Sequence, residues 1–483
     1  MPLKGMKFKF ENLGPIDNAE LELGDLTVIA GRNNTGKTYL AHTIYGFFKN
    51  FYRTMLVDAG RDVILERLYS NLDINEDDLV HELLLTGSFN WKVSFEDFLA
   101  DRSRVLSSVC SRFSKTGISE LFSGSSYLFR DFRMRIDIGH ESEDSWQSGK
   151  SVRTELHSGN MTLVGTFDGS TYSVQFNGYV DYEDDVTSPY EVFSGVCELY
   201  VDFLLGDYFE SFTSPRAFVS ERSFIHLFYK DLDFAKNQAM VELRRIRMEG
   251  SEKDHRWHEV IDRMSRYTVP FQDAIDMFRD FERPPTGRPV FSDLLIDRLE
   301  SMMEGKIIDD KDGGWKFIIS GHGSDIGLPP HFVSSSVSEL ILLYLYLKKS
   351  FFAKRSFFII DEPESHLDTT NQIEFARILA RMVQIGLKVL ITTHSDYIVK
   401  ELNNLIMLHN DFEDRQEVIE RLGYTESLDP DMVSAYVAEN GTLTKCDLDK
   451  YGIDMPHFDN TIDSINAVSN ELTGRLSAEE EDL

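Results

Sequence analysis

A glycine-rich segment near the start of the chain carries the residue types that hold a triphosphate. Residues 31–38 read GRNNTGKT and fit the pattern GxxxxGK[ST]. In such a loop, backbone N–H groups turn towards phosphate oxygens, and the following helix adds partial positive charge at its N-terminus. Lys37 then neutralises the β and γ phosphates, while the Thr38 hydroxyl binds Mg²⁺. The pattern predicts an ATP and Mg²⁺ site formed by Arg32, Asn33, Asn34, Thr35, Gly36, Lys37 and Thr38.

Two carboxylates end an apolar run in the second half of the chain, where residues 357–362 read FFIIDE. Ligands gather at the carboxyl ends of parallel strands, so we expect Asp361 and Glu362 to lie beside the phosphate loop. Asp361 is predicted to hold Mg²⁺ directly or through water, and Glu362 to polarise the attacking water as general base. Two acids at a strand end also occur without any function. The functional interpretation therefore depends on the phosphate loop.

A histidine follows a third apolar run, since residues 391–395 read ITTHS. A histidine at this place can bond the γ-phosphate and the attacking water, and thereby sense the state of the nucleotide. Lone histidines are more often structural. However, the strand-end position that His394 shares with Asp361 favours the functional interpretation.

These residues require a sheet of buried strands to position them. Leu26–Ala30 is an almost continuous apolar run, typical of a strand buried on both faces, and it leads into the phosphate loop and a predicted helix at Tyr39–Phe51. Further strands are predicted at Phe357–Ile360 and Val389–Thr392, with a helix at Gln372–Gln384 between them. The alternation of strands and helices predicts an α/β fold with a largely parallel sheet.

The sequence changes character between residues 55 and 215. This region mixes amphipathic helical segments with alternating apolar residues at Met161–Tyr179, which surround an Asp-Gly pair and predict a β-hairpin. We interpret it as an insertion. The predicted organisation is a two-part head at 1–55 and 215–410, an inserted helical and β region at 56–214, and a C-terminal appendage at 411–483.

The overall charge and the cysteines restrict the classes of partner. Acidic residues number 81 and basic residues 50, a formal charge of −31. Nucleic-acid binding gains free energy when Lys and Arg neutralise phosphates, so this balance does not indicate it, although a local basic cluster such as residues 244–247 leaves it open. Three scattered cysteines favour neither disulfides nor zinc. The apolar stretches are shorter than the roughly 20 residues of a bilayer span, and a cytoplasmic protein without membrane contact is expected.

Four motifs occur in a characteristic order: the phosphate loop, DEP at 361–363, SHLD at 365–368 and THS at 393–395. In this order they resemble the ABC-type ATPase heads of SMC-like DNA-repair proteins. They are more similar still to the overcoming-lysogenization-defect (OLD) nucleases and to the ATPase subunits of anti-phage systems such as Septu and PARIS. The resemblance covers residues 1–50 and 215–400, and implies an ABC-type P-loop ATPase head, a mixed sheet flanked by helices, with an inserted, partly helical region.

The resemblance also implies a signature loop, LSGG(Q/E) in the family, at residues 334–339. Here Ser336 keeps the hydroxyl and Glu339 matches the final acid, whereas Val337 and Ser338 replace the glycines. A serine-rich helix N-cap explains the same residues, and both interpretations can hold together. In the family this loop comes from the opposite subunit, which implies a homodimer through the ATP sites and, in the anti-phage proteins, higher oligomers such as a hexamer. The family's glutamine loop is not identifiable; Ser220-Glu221-Arg222 stands near its place, with Arg222 a candidate charge-stabilising residue.

Several functions are compatible with such a head. The resemblance to Septu and PARIS implies an ATPase that acts as sensor and scaffold for a separately encoded effector, a nuclease by analogy, in anti-phage defence. The alternative is a DNA-repair or OLD-like ATPase that acts directly on DNA, with or without its own nuclease. The residues after His394 are too few for the usual metal-binding nuclease domain, and no sustained heptad pattern predicts the long arms of DNA-repair ATPases. A transporter motor is disfavoured by the altered signature.

Overall fold

The structure is a computed structural model, and it describes most of the chain. The described residues are 6–50, 56–67, 69, 74–124, 126–139, 152–158, 161–177, 189–209, 215–248, 260, 267–281, 293–310, 314–320, 327–349, 356–455 and 466–473.

Strands and helices are numbered in chain order within these residues. The strands are β1 (Met6–Leu13), β2 (Ile16–Glu22), β3 (Leu26–Ala30), β4 (Ser88–Lys92), β5 (Arg133–Ile138), β6 (Val152–Ser158), β7 (Met161–Phe167), β8 (Thr171–Asn177), β9 (Arg216–Phe218), β10 (Gly305–Asp309), β11 (Trp315–Ile319), β12 (Gly327–Leu328), β13 (Phe357–Asp361), β14 (Lys388–Thr393), β15 (Val433–Glu439), β16 (Thr442–Lys445), β17 (Leu448–Asp449) and β18 (Gly452–Ile453). The α-helices are α1 (Lys37–Asn50), α2 (Leu56–Arg67), α3 (Glu76–Thr86), α4 (Phe95–Arg112), α5 (Ile118–Leu121), α6 (Pro189–Phe209), α7 (Arg222–Met248), α8 (Val269–Phe281), α9 (Asp293–Met302), α10 (Ser335–Lys349), α11 (Thr369–Gln384), α12 (Asp396–Met407) and α13 (Arg415–Leu422).

A nine-stranded sheet carries the predicted site residues. Its strand order is β5-β1-β2-β16-β15-β3-β14-β13-β9. The five strands from β15 to β9 run parallel to one another, while β1 pairs antiparallel with both β2 and β5. Because β3, β14 and β13 are neighbours with the same direction, their carboxyl ends meet at one edge of the sheet. The phosphate loop, His394 and the Asp361-Glu362 pair therefore leave the sheet side by side.

The sheet has a hydrophobic core on each face. Val28 of β3 belongs to the core that α10, α11 and α12 cover, whereas Ile29 belongs to the core that α1 and the inserted region cover. Both side chains are fully buried. This two-sided burial explains the continuous apolar run in β3, because alternate side chains of a strand point to opposite faces.

Most of the predicted elements occur in the structure. The hairpin prediction is confirmed by β7 and β8, and the Asp168 carboxylate accepts hydrogen bonds from the backbone N–H groups of Ser170 and Thr171 in its turn. The predicted fold class, a mixed α/β sheet flanked by helices with an inserted, partly helical region, is confirmed. No helix in the described part of the chain is long and apolar enough to cross a membrane.

The central sheet extends beyond the two segments of the predicted head. From the region 56–214, β5 pairs with β1 at the sheet edge, and the helices of that region share one core with α1. From the region 411–483, β15 pairs with β3 in parallel, and the β15–β16 hairpin packs against the start of the phosphate loop. The C-terminal region thus contributes an internal strand, next to the strand that delivers the loop.

The β15–β16 hairpin closely approaches Gly31. Its φ is +147°, and a Cβ atom added there would lie 2.4 Å from the backbone oxygen of Ala438. We expect Gly31→Ala to lower the free energy of unfolding by about 2 kcal/mol or more, because a strained backbone and a backbone clash add together. Urea unfolding measures the change. Gly386→Ala, at a positive φ with open space around it, is the matched control; an equal loss in both variants would mean that the hairpin contact contributes nothing.

Candidate nucleotide site at the ends of parallel strands

The phosphate loop is folded as the GxxxxGKT pattern requires. Asn34 and Gly36 have positive φ values of 63° and 91°, which turn the backbone between β3 and α1. A Cβ atom at Gly36 would lie 2.6 Å from the Ile16 side chain, so only glycine fits there. Arg32, Asn33 and Asn34 are exposed. The exposed loop therefore leads directly into the N-terminus of α1, the arrangement that binds anions.

Lys37 folds back over the loop from the first turn of α1. Its ammonium group donates a hydrogen bond to the Arg32 carbonyl oxygen at 2.8 Å, and the Thr35 hydroxyl donates to the same oxygen at 2.9 Å. Burial lowers the pKa of Lys37, while the nearby Glu362 and Asp361 carboxylates oppose that effect. A largely buried cation thus stands inside the loop, where it is suited to a phosphate group.

The two predicted metal ligands come together although 323 residues separate them in sequence. The Thr38 hydroxyl donates to the Asp361 carboxylate, with oxygen–oxygen distances of 3.0 and 3.2 Å. Asp361 is 1% exposed, and its carboxylate also accepts a hydrogen bond from the Thr392 hydroxyl. Hydroxyl and carboxylate oxygens are the hard ligands that Mg²⁺ prefers. The donor set therefore fits the ion that the sequence predicts.

A second observation supports this fit. The Nε2 atom of His42, one turn beyond Thr38 on α1, is buried without a hydrogen-bond partner in the described structure. It lies 4.0 Å from the Asp361 carboxylate. Burial lowers the pKa of His42, which favours the neutral ring. A buried carboxylate beside an unpartnered, uncharged ring nitrogen offers hydrogen-bonding capacity that a cation and its bound water would use.

Glu362 has an unusual backbone conformation at the end of β13. Its φ is 46°, in the left-handed region that residues other than glycine rarely adopt. Its backbone N–H donates to both the carbonyl and the hydroxyl oxygens of Thr392, each at 3.1 Å. Such strain is found where the surrounding structure fixes a residue for function. Because of this left-handed turn, the Glu362 side chain points in a different direction from the Asp361 side chain.

Glu362, His394 and Lys37 form one chain of contacts. The Nε2 atom of His394 lies 3.0 Å from a Glu362 carboxylate oxygen, and Nδ1 lies 3.4 Å from the Lys37 ammonium nitrogen. A neutral ring with its proton on Nε2 satisfies both, because it donates to the carboxylate and accepts from the ammonium. The hydrogen bond from His394 lowers the pKa of Glu362. The carboxylate is thereby kept ionised and oriented.

The sequence reasoning did not single out Glu364 and Thr392. The Glu364 carboxylate accepts a hydrogen bond from the His394 backbone N–H at 2.5 Å, and burial raises the pKa of Glu364. Thr392 contacts Asp361 and Glu362 as described above. The sequence could have indicated both residues only by their position, since each lies within two residues of a motif residue. Which atoms they contact depends on the pairing of β13 with β14.

The predicted signature loop lies at the start of α10. Ser334 caps the helix, since its hydroxyl accepts a hydrogen bond from the Val337 N–H at 3.3 Å and contacts the Ser336 hydroxyl at 3.0 Å. The helix-cap interpretation therefore describes Ser334 directly. In the described part of the chain, no hydrogen bond joins Ser336 to the phosphate loop. Within the described residues, no hydrogen bond links Ser336 to the cluster of Lys37, Thr38, Asp361, Glu362 and His394 either.

Arg222 and Glu339 form a buried ion pair beneath the acid pair. They are 3% and 1% exposed. Burial raises the pKa of Glu339 to about 7, an effect that Arg222 opposes and that Glu362 and Glu364 reinforce. The signature position that matches the family's final acid is therefore an internal residue, and the charge of Arg222 is directed towards Glu339.

The raised pKa of Glu339 gives a prediction about stability and pH. A carboxyl group whose pKa is about 7 when folded and near 4.5 when unfolded stabilises the fold most below pH 4.5, and this contribution is lost as pH rises to 7. Glutamine does not titrate. We therefore expect the melting temperature of the wild type, relative to Glu339→Gln, to fall between pH 5 and pH 7. If the melting temperature of the wild type instead rises relative to Glu339→Gln over this range, the charge of Arg222 affects the pKa of Glu339 more than burial does.

The chain matches a known domain family. The family model described as an AAA ATPase domain, AAA_15, matches residues 6–399. No curated protein matches the sequence. Three solved structures are similar, each at 12% identity. The first is an Smc head domain with an extended coiled coil bound to the C-terminal domain of ScpA, from Pyrococcus furiosus, with a TM-score of 0.33 over 97% of this chain and 100% of that chain. The others are an SmcHead bound to the C-winged helix domain of ScpA (TM-score 0.33, 91% of this chain and 95% of that chain) and an SMC head domain from Thermotoga maritima (TM-score 0.29, 93% of this chain and 100% of that chain). None of the three is similar enough to assign a role to a residue of this chain.

The family match extends over well over half of the chain and includes every residue of the cluster, from the phosphate loop to His394. The loop, the buried lysine and the acid pair all lie within the matched ATPase domain. The chain therefore belongs to the AAA ATPase domain family.

Proposed function

We propose that the protein binds Mg²⁺-ATP on the loop at 31–38 and hydrolyses it slowly, using ATP as a switch. The observation that carries this proposal is the convergence of Lys37, Thr38, Asp361, Glu362 and His394 at neighbouring strand ends. Each has the chemical character that phosphoryl transfer to water requires.

In this proposal the side chains divide the work. Loop N–H groups and Lys37 bind the phosphates, and Thr38 and Asp361 hold Mg²⁺, which neutralises developing charge when bound. Glu362, ionised and oriented by His394, accepts hydrogen-bond donation from the attacking water and takes its proton. His394 contacts both Glu362 and Lys37. To bond the γ-phosphate it must give up one of these contacts, so its hydrogen bonds report the loss of the phosphate.

We propose further that two copies of the chain enclose each nucleotide. Ser334 and Ser335 are exposed at the N-terminus of α10, and the N–H groups and hydroxyls at the start of a helix suit a phosphate. Ser336 has no hydrogen bond to the loop of its own chain among the described residues, and the motif order resembles that of proteins in which this loop is supplied by the opposite subunit. A homodimer through the ATP sites is the smallest such unit, and the resemblance to the anti-phage proteins implies larger assemblies such as a hexamer.

The dimer proposal has a direct test. We expect the chain carrying Glu362→Gln to self-associate in Mg²⁺-ATP, and Ser336→Glu to prevent this by placing a negative charge against the γ-phosphate. Sedimentation velocity with and without ATP measures the change. Ser103→Glu, at an exposed position on α4, is the control. Association that is equally strong in the Ser336→Glu chain would exclude this loop from the interface.

The biological role that best fits these properties is that of a cytoplasmic sensor and scaffold for a separately encoded effector, a nuclease, in anti-phage defence. The motif resemblance to Septu and PARIS subunits supports this role, and the formal charge of −31 does not favour direct action on DNA. The alternative is an OLD-like or DNA-repair ATPase that acts on DNA itself. Incubating the purified chain with DNA, Mg²⁺ and ATP separates the two: we expect intact DNA, and cleavage would favour the alternative.

A further inference from the structure

Arg222 connects two parts of the chain that the proposed function assigns to different nucleotides. One amino group of its guanidinium donates to the Asp361 carbonyl oxygen at 2.6 Å and to the Val219 carbonyl oxygen at 2.9 Å. The other donates to the Glu362 carbonyl oxygen at 3.1 Å and forms the ion pair with Glu339. One buried side chain therefore holds both the backbone of the acid pair and the first turns of α10.

A second contact reinforces this connection. His226 lies one turn beyond Arg222 on α7, and its Nε2 atom is 3.4 Å from the Ser338 hydroxyl and 3.4 Å from the Pro330 carbonyl oxygen. Both His226 and Ser338 are buried. Consecutive residues of α10, Ser338 and Glu339, thus contact residues one turn apart on α7. Because packed side chains have little free volume, α10 and the start of α7 must move together.

The backbone of Glu362 is the point where this connection affects chemistry. A left-handed conformation is unfavourable for an ordinary residue, so Glu362 keeps its φ of 46° only while its neighbours hold it. Thr392 holds its N–H, and Arg222 holds its carbonyl oxygen. If Arg222 withdraws, the peptide can relax, and the carboxylate then loses its alignment with His394.

We propose that Arg222 is a positioning residue that couples the two nucleotide sites of the dimer; this inference rests on the proposed function. When the loop at 334–336 binds a nucleotide held by a second copy, the N-terminus of α10 becomes fixed. Glu339 then fixes Arg222, and Arg222 sets Glu362 in the site of its own chain. The site of one chain can therefore hydrolyse ATP only when the loop at 334–336 of the same chain is bound to the nucleotide held by the second copy.

The test compares Arg222→Lys and Glu339→Gln with the wild type. A lysine keeps the positive charge but lacks the planar fork that reaches two carbonyl groups and a carboxylate. We expect ATP affinity to be nearly unchanged, kcat for Arg222→Lys to fall about 100-fold, as for a displaced catalytic group, and the Hill coefficient for ATP to fall from above 1 to 1 in both variants. Equilibrium binding and steady-state phosphate release provide these values.

Arg298→Ala is the matched control, because Arg298 also forms partly buried ion pairs, with Glu374 and Glu426, but contacts no residue of the site. We expect it to lower the melting temperature without changing the Hill coefficient. A wild-type Hill coefficient of 1, or one that Arg222→Lys leaves unchanged, overturns the coupling. Failure of the wild type to bind ATP at all would instead reject the proposed function, so the two failures are distinguishable.

Discussion

Replacing Glu362 by glutamine is expected to reduce ATP turnover by about 10²–10⁴-fold, the usual contribution of a general base. Glutamine preserves the size of the side chain and can still contact His394, but it cannot take a proton from water. In the wild type, the hydrogen bond from His394 lowers the pKa of the Glu362 carboxyl group and keeps it ionised. The substitution therefore removes a base that can accept a proton. Phosphate release measures turnover, and calorimetry of Mg²⁺-ATP binding should show an affinity close to that of the wild type.

The control for this prediction is Glu82→Gln, at an exposed position on α3 away from the strand ends. It makes the same chemical change and should alter neither turnover nor binding. Phosphate release by Glu362→Gln at the wild-type rate would remove Glu362 from the mechanism. Loss of ATP binding in that variant would contradict the separation of roles between the phosphate loop and the acid pair.

Lys37→Ala is expected to abolish measurable ATP binding. The ammonium group interacts with the Glu362, Asp361 and Glu364 carboxylates, whose charges raise its pKa against the effect of burial. Its removal deletes charge-assisted hydrogen bonds to phosphate and leaves negative groups that repel the triphosphate. Two such hydrogen bonds, at about 1.5–3 kcal/mol each, correspond to an affinity loss of more than about 100-fold. Calorimetric titration with Mg²⁺-ATP checks this.

Lys49→Ala is the matched control, because Lys49 lies near the other end of α1 and forms its ion pair with Asp273 rather than with the site. It should bind ATP as the wild type does. Circular dichroism would establish that both variants remain folded. Undiminished binding by folded Lys37→Ala would mean that nucleotide is held elsewhere.

The cluster of candidate site residues could be predicted because its residues follow from local patterns. The loop at 31–38 is one continuous motif, and Asp361 and His394 each end an apolar run, so strand direction alone brings them together. The structure then adds the distances. What the patterns could not provide were the contacts of Arg222 and Glu339, 117 residues apart in sequence, because no local periodicity indicates which buried acid a given arginine will meet.

The central sheet shows the same limit at a larger scale. The alternation of apolar residues predicts that a segment is a strand, but strand pairing depends on the order in which segments return to the sheet. β15 lies beside β3 although more than 400 residues separate them, and β5 closes the far edge from within the inserted region. Neither pairing leaves a signal in the sequence of one strand. Hence the segments nearest the phosphate loop were the easiest to assign, and those that join from a distance were not.

A structure determined with Mg²⁺ and a non-hydrolysable ATP analogue tests the central claim most directly. We expect the triphosphate on the N–H groups of residues 32–38, with Lys37 at its β and γ phosphates and the metal ion between the Thr38 hydroxyl and the Asp361 carboxylate. A nucleotide bound away from this loop, or a metal ion held by neither Thr38 nor Asp361, would contradict the account.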